Sequence, residues 1–232
     1  MNFILNRIKP SFLATTGINL ETSGKIFSRF NTVKNFDNFY IVNKTIKKKV
    51  SKNLKNNYLK HNKKQLKLLV SDKLLNLHNF SYSFRPYKSE KYFKYKYTQN
   101  PFYKYFMLNF YEKNKIKICF ICREIKIQKL NSKILRIVDF FGVIEKNQSI
   151  FENMHEYLKK NKYEYVDFIS YGLENELLGV GFTKKKKNQL IPNRFEPFIN
   201  KEILNNFCIL KSKYKKNLIV KGDGDLDRPN SI

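Results

Sequence analysis

The chain has 232 residues, 42% of them apolar and 16% aromatic; that is enough to bury a core without disulfide or metal, and it excludes a disordered polymer. A formal charge of +27 would ordinarily select nucleic acid or an anionic membrane. Lysine far outnumbers arginine, however, and Asn, Ile, Tyr and Phe are used heavily, as in an A/T-rich coding repertoire. Three cysteines without framework spacing exclude a disulfide scaffold and point to a reducing, cytoplasmic setting.

The first ten residues hold no apolar stretch of signal-peptide length, and no segment reaches the ~20 residues that span a bilayer. Phe3 to Ile8 suits a short strand. Asn19 to Phe30 suits a helix with Asn19 as N-cap and Leu20, Ile26, Phe27 and Phe30 on one side, and Phe39 to Asn43 reads as a strand. Lys44 to Lys64 has lysine and asparagine at most positions and few apolar anchors, so it reads as a linker. The expected division is therefore a partial unit over 1–45, a linker with an amphipathic helix over 46–79, and the main domain over 80–232. The helix rests on Leu66, Leu69, Val70, Leu74 and Leu77, which recur at three- and four-residue steps between Gln65 and Leu77.

A second, aromatic helix is expected from Ser89, as cap, to Tyr97, with Tyr92, Phe93 and Tyr97 available to pack. Tyr105 to Glu112 and Ile116 to Ile127 are apolar runs around Lys113-Asn114-Lys115, a hairpin signal. A strand over Ile134 to Phe141, ending at Gly142, precedes a helix over Ser149 to Asn161. Then come a strand over Tyr165 to Ser170, a helix over Glu174 to Leu178 and strands at Phe207 to Leu210 and Leu218 to Val220. This order predicts an α+β fold, one mixed and mostly antiparallel sheet flanked by helices. Cys119 and Cys122 read as CxxC, but on a strand residues three apart point to opposite faces, so they are expected to be packing residues.

Polar residues among apolar neighbours are the candidates for chemistry. Arg136 and Asp139 interrupt one predicted strand and Asp167 another; buried unpaired charge is expensive, so each needs a partner or a site to face. Three positions apart on an extended strand, Arg136 and Asp139 are not expected to pair with each other, whereas Asp139 and Asp167 are placed to face each other across adjacent strands. An internal salt-bridge network and a proton-transfer or substrate-binding role stand level. Glu196 lies between two prolines in Ile191-Pro-Asn-Arg-Phe-Glu-Pro-Phe198, as a base, an acceptor contact or a turn residue. Asp223, Asp225 and Asp227 alternate near the C-terminal end like the opening of a calcium loop. Arg228 stands where that loop needs glycine, and a turn that holds a hydroxylated or amino ligand fits better. His61, His78 and His155 show no metal spacing, and no metal site is expected.

The succession Lys88-Ser-Glu-Lys-Tyr-Phe, Asn100-Pro-Phe-Tyr-Lys-Tyr105, Leu135-Arg-Ile-Val-Asp-Phe-Phe-Gly142, Tyr165-Val-Asp-Phe, Ile191-Pro-Asn-Arg-Phe-Glu-Pro-Phe198 and Gly222-Asp-Gly-Asp-Leu-Asp-Arg-Pro-Asn230 resembles the C-terminal module of GNAT-like acyltransferases associated with bacterial surface-polysaccharide synthesis. Thr16-Gly-Ile-Asn-Leu-Glu-Thr22 and Phe39-Tyr-Ile-Val-Asn43 are similar to the back end of a preceding module of the same kind, whose front strands would then be truncated here.

The resemblance implies an acyl-CoA-dependent N-acyltransferase acting on an amino sugar or another small amine. Asp139 or Asp167 would take the amine proton, and Arg136, Tyr171, Asn193, Phe195, Glu196 and the turn Asp223, Asp225, Asp227, Arg228 would hold the acceptor. It further implies that Phe141 and Gly142 border the acyl-CoA, whose pyrophosphate would rest on the helix start that follows. The segment there, Gly142-Val-Ile-Glu-Lys-Asn-Gln-Ser149, departs from the glycine-rich pattern. A non-catalytic sugar- or partner-binding module is the alternative. A nucleic-acid binder that uses the basic charge and stacking tyrosines is a further one, and nucleic acid is not the expected partner.

Overall fold

The computed structural model describes residues 11–16, 21, 23–29, 32–57, 65–74, 84–195, 198–201 and 207–224. In chain order its elements are β1 (Phe12–Thr16), α1 (Ser23–Phe27), β2 (Thr32–Asn35), β3 (Asp37–Val42), β4 (Lys67–Ser71), α2 (Glu90–Phe93), β5 (Phe106–Glu112), β6 (Lys115–Ile127), β7 (Ser132–Gly142), α3 (Gln148–Asn161), β8 (Tyr165–Tyr171), α4 (Glu174–Gly179), β9 (Thr183–Lys184), β10 (Phe207–Ser212) and β11 (Ile219–Val220). The fold is α+β, with mostly antiparallel sheets and few helices. The expected strand over Phe3 to Ile8 lies outside the described residues, as do the cap Asn19 and Leu77.

The main sheet runs β4-β5-β6-β7-β8-β3-β9, with β11 joined to β8. Its hairpin β5–β6 forms where the sequence places it, and Lys113 and Asn114 take the positive φ angles, 46° and 64°, of a tight turn. β7 and β8 run parallel, which a two-residue turn cannot connect; α3 makes the crossover. That helix starts at the cap Asn147 and lays Ile150, Met154 and Leu158, one turn apart, on the sheet. They meet Phe120, Phe140 and Phe168, whose rings pack edge-on or tilted at 6.1–6.5 Å. A three-stranded sheet, β1-β10-β2, packs Cys208 and Leu210 against Ile169 on the opposite face.

The expected domain boundary near residue 45 does not divide this fold. β3 lies inside the main sheet between β8 and β9, with Phe39, Tyr40, Ile41 and Val42 buried. Residues 44–57 are no loose linker either. The Glu164 carboxylate, fully buried, accepts the backbone amides of Lys49 (2.8 Å), Val50 (3.0 Å) and Ser51 (2.7 Å) and the Ser51 hydroxyl (2.7 Å). Bridging at Lys52 and Leu190 ties the same loop to residues 183–190. The helix expected over Gln65 to Leu77 is in its described part the strand β4, paired with β5. Leu66 and Leu68 turn to the core while Leu69 and Val70 are exposed; pairing with a strand some forty positions away overrides a local three-to-four spacing.

The helix expected from Ser89 forms as α2, with the Ser89 hydroxyl accepting the Tyr92 amide, and continues as a π-turn over Lys94–Thr98. Phe93 and Tyr97 are buried. Cys119 and Cys122 do point to opposite faces, one into the cluster with Tyr97 and Val138 and the other against Phe120.

Candidate functional site

β7 pairs with β8 only from Leu135 to Ile137; beyond that the two strands part. On β6 the register also breaks there: Ile121 faces Asp139 and Cys122 faces Ile137, so Val138 is an extra residue. This β-bulge changes the alternation. Ile137 and Phe140 point to the α3 side, while Val138 and Phe141 lie with Tyr97 on the other, where the Asp139 carboxylate also finds its partners. Alternation alone would place Asp139 on the α3 side with Ile137, away from Arg136; the bulge brings it to the face Arg136 uses.

Into the opening between β7 and β8 comes the chain's own C-terminal segment. β11 pairs antiparallel with Ser170 and Tyr171, positions that β7 has left, and a 3-10 turn over Lys221–Asp223 packs on both strands. Gly222 is required here, because a Cβ would run into the Tyr97 hydroxyl and the Val138 carbonyl.

A buried polar cluster closes the opening. Lys88 Nζ donates to both Asp139 oxygens (2.8 and 2.9 Å) and pairs with Asp223 Oδ1 at 2.8 Å. The Tyr97 hydroxyl donates to Asp139 Oδ2 (2.8 Å) and the Phe140 amide to Oδ1 (2.9 Å). The Tyr92 hydroxyl donates to Asp223 Oδ1 (3.1 Å), the Val220 amide to Oδ2 (2.9 Å), and Lys96 Nζ to the Gly222 carbonyl. Burial raises the pKa of Asp139 from its ordinary value, against the pull of Lys88. Burial first, then the charge of Asp139, pushes the Tyr97 phenol well up.

Asp167 does not face Asp139. It is level with Arg136, whose guanidinium binds it in bidentate fashion, Nε–Oδ1 2.9 Å and Nη2–Oδ2 2.6 Å. Arg136 also donates to the Pro192 carbonyl (3.4 Å) and lies 4.7 Å over the Phe195 ring, which stacks on Phe198. Arg123, cross-strand from Arg136, lies 3.6 Å over Tyr103.

The remaining candidates scatter. Tyr171 lines a polar cavity of about 500 Å³ beside Lys34 and Lys211. Asn193 sits half-buried in the loop after Pro192. Phe141 is buried against Phe93 in an aromatic cluster, and Gly142, at φ +97°, packs on the backbone of Lys117 and Ile118. Glu196, Asp225, Asp227 and Arg228 lie outside the described residues. The structure thus unites Asp139 with Asp223, joins Arg136 to Asp167 and Phe195, and leaves Tyr171 apart from both groups.

The α3 start is where the resemblance places a pyrophosphate. Asn147 Oδ1 takes the Ser149 amide (2.9 Å), the Asn147 carbonyl takes that of Ile150, and the Leu66 amide donates to Ser149 Oγ (3.1 Å). Two of the first-turn amides, those of Ser149 and Ile150, are thus bonded within the chain. Among the described residues no group of His, Cys, Asp and Glu is arranged to hold a metal ion.

Lys88 and Glu164 are two of the buried polar residues to which sequence reasoning gave no role. Lys88 is one lysine among many, and only the cost of burying it marks it out. Glu164 precedes the β8 run and carries no motif.

No helix among the described residues is long and apolar enough to cross a membrane. Comparison of the chain with family models, with curated proteins and with solved structures returns no match to any of them.

Proposed function

We propose that this chain is a non-catalytic saccharide-binding module built on an acyltransferase-like architecture. The observation that carries the reading is where its accessible polar groups lie. Both carboxylates expected to take a proton are fully buried in ion pairs, and the chain's own turn over Lys221–Asp223 fills the opening beside Asp139. Two open cavities among the described residues are instead lined mainly by hydroxyls, amides and lysines, the groups that suit a polyhydroxylated ligand.

The acyltransferase reading retains one support, the Asp139 carboxylate, held by Lys88 and Tyr97 with a raised pKa where two parallel strands part; such groups are candidates for proton transfer. In that reading Asp139 takes the proton of a small amine, and Lys88 and Tyr97 orient it. Titration of the full chain with acetyl-CoA, with and without glucosamine, separates the two. The binding-module reading expects no heat from acetyl-CoA and no acetylated product. Turnover that falls ~100-fold or more in Asp139→Asn would reinstate the enzyme.

A further inference from the structure

The lysines that run diffusely along the sequence are not diffuse in space. Residues 44–57 hold Lys44, Lys47, Lys48, Lys49, Lys52 and Lys55 and no acidic residue, and residues 183–190 hold Lys184 to Lys187 and no acidic residue. The Glu164 carboxylate pins the first loop from beneath, and several bonds join it to the second: the Lys52–Leu190 bridge, Asn53 Nδ2 to the Asn188 carbonyl (3.0 Å), and Gln189 Nε2 to the Asn53 carbonyl (3.1 Å). The Asn57 amide donates to the buried Thr183 hydroxyl (3.0 Å), and the Tyr40 hydroxyl bonds both the Lys55 carbonyl and Gln189.

Between the two loops lies a cavity of about 350 Å³, with Lys55, Lys186, Asn57, Asn188 and Gln189 in its wall. Lys55 and Lys186 are exposed. Lys184, by contrast, is held by Asp37 (2.9 Å) and Glu174 (2.8 Å) and belongs to the frame.

We propose that this cavity binds an anionic saccharide, one that combines hydroxyl groups with a carboxylate or a phosphate. This deepens the saccharide-binding reading and rests on it. Lysine ammonium groups supply the charge that a carboxylate or phosphate seeks, and the amides offer both donors and acceptors to hydroxyls. Among the described residues the wall holds no aromatic ring on which a nucleobase could stack. The large exposed apolar residues among the described ones, Leu69, Val70, Tyr95 and Phe102 included, lie on other segments, so the described part of this face offers no apolar anchor of the kind a membrane-binding surface uses.

The test is calorimetric titration of the full chain with trigalacturonate, glucose 6-phosphate, maltotriose, inorganic phosphate, an oligouridylate and phosphatidylglycerol vesicles. Trigalacturonate or glucose 6-phosphate should bind at least ~10-fold more tightly than maltotriose, a difference of about 1.4 kcal/mol, and which of the two binds tells carboxylate from phosphate. The double variant Lys55→Gln/Lys186→Gln should lose that margin. Asn57→Ala/Asn188→Ala should erase the preference for glucose 6-phosphate over inorganic phosphate, which a merely basic surface would never show. Circular dichroism checks that these surface variants stay folded.

The proposal is overturned if neither acidic sugar binds, if the lysine variant binds as well as the parent, or if the oligouridylate or the vesicles bind more tightly through the same lysines. Acetyl-CoA turnover with intact sugar binding would sink the non-catalytic reading and leave this site standing.

Discussion

Glu164 shows how one buried side chain can organise a loop of fourteen residues that has little core of its own. Its carboxylate satisfies three consecutive amides and two hydroxyls, those of Ser51 and Ser132; without it those amides would be buried and unpaired, each a cost of about 1–3 kcal/mol. Glu164→Ala is therefore expected to destabilise the protein by about 3 kcal/mol or more in urea unfolding, and Glu164→Gln by less. A change under 0.5 kcal/mol would mean that the loop is held by something else. At Asp139 the folded-state pKa lies above its unfolded value because burial disfavours the charge. The folded state thus binds the proton more readily, and the stability this group contributes is present at low pH and lost as pH rises through the folded pKa. The melting temperature of the parent minus that of Asp139→Asn should accordingly increase as the pH is lowered towards the ordinary value of an aspartate. A difference that does not vary with pH would contradict the assignment. The three thiols are buried, with Cys208 pushed up to about 12 by burial and Cys119 and Cys122 well above the ordinary range. A thiol reagent should label none in the native protein and all three in denaturant.

Among the elements, β11 with its 3-10 turn is short, and the sequence marks its strand at Leu218 to Val220 but not its central position. Two strand residues and three turn residues fill the gap that opens where β7 bulges and leaves β8. The fit is tight at Gly222, so Gly222→Ala should cost about 1–3 kcal/mol and disturb the Tyr97 and Asp139 signals in an NMR spectrum. A neutral substitution would show that the turn stands off from β7. β4 carries the opposite lesson. Its leucines recur as a helix face would have them, yet an edge position beside β5 needs only alternate residues turned inward, and Leu66 and Leu68 supply them.

For the whole molecule, the place of β3 decides how the chain unfolds. A strand from the first 45 residues pairs with β8 along six positions and carries β9 on its other edge, so a chain cut at residue 46 loses a strand from inside the sheet and exposes Val166 and Phe168. A protein made of residues 46–232 should fail to fold cooperatively, and in the full chain the amides of Asp37–Val42 should exchange as slowly as those of β6 and β7. Cooperative melting of the shorter chain near the parent's temperature would instead support two independent units.

Local pattern alone determined the β5–β6 hairpin, β7, α3, β8 and α4, because strand alternation, a polar turn and a helical stripe are all written within a few neighbouring residues. It also separated Cys119 from Cys122, since that depends only on the pleat. The rest depended on partners far along the chain: β3 joining β8, β10 taking its place between β1 and β2, Lys88 reaching Asp139, and two lysine runs more than a hundred positions apart closing around one cavity. The bulge at Val138 is the sharpest case. It exists only as a mismatch between two strands, and it decides which face Asp139 meets. The charges were legible in the sequence, but what each one faces was settled by burial, which forces every enclosed charge to find a partner wherever the fold brings one.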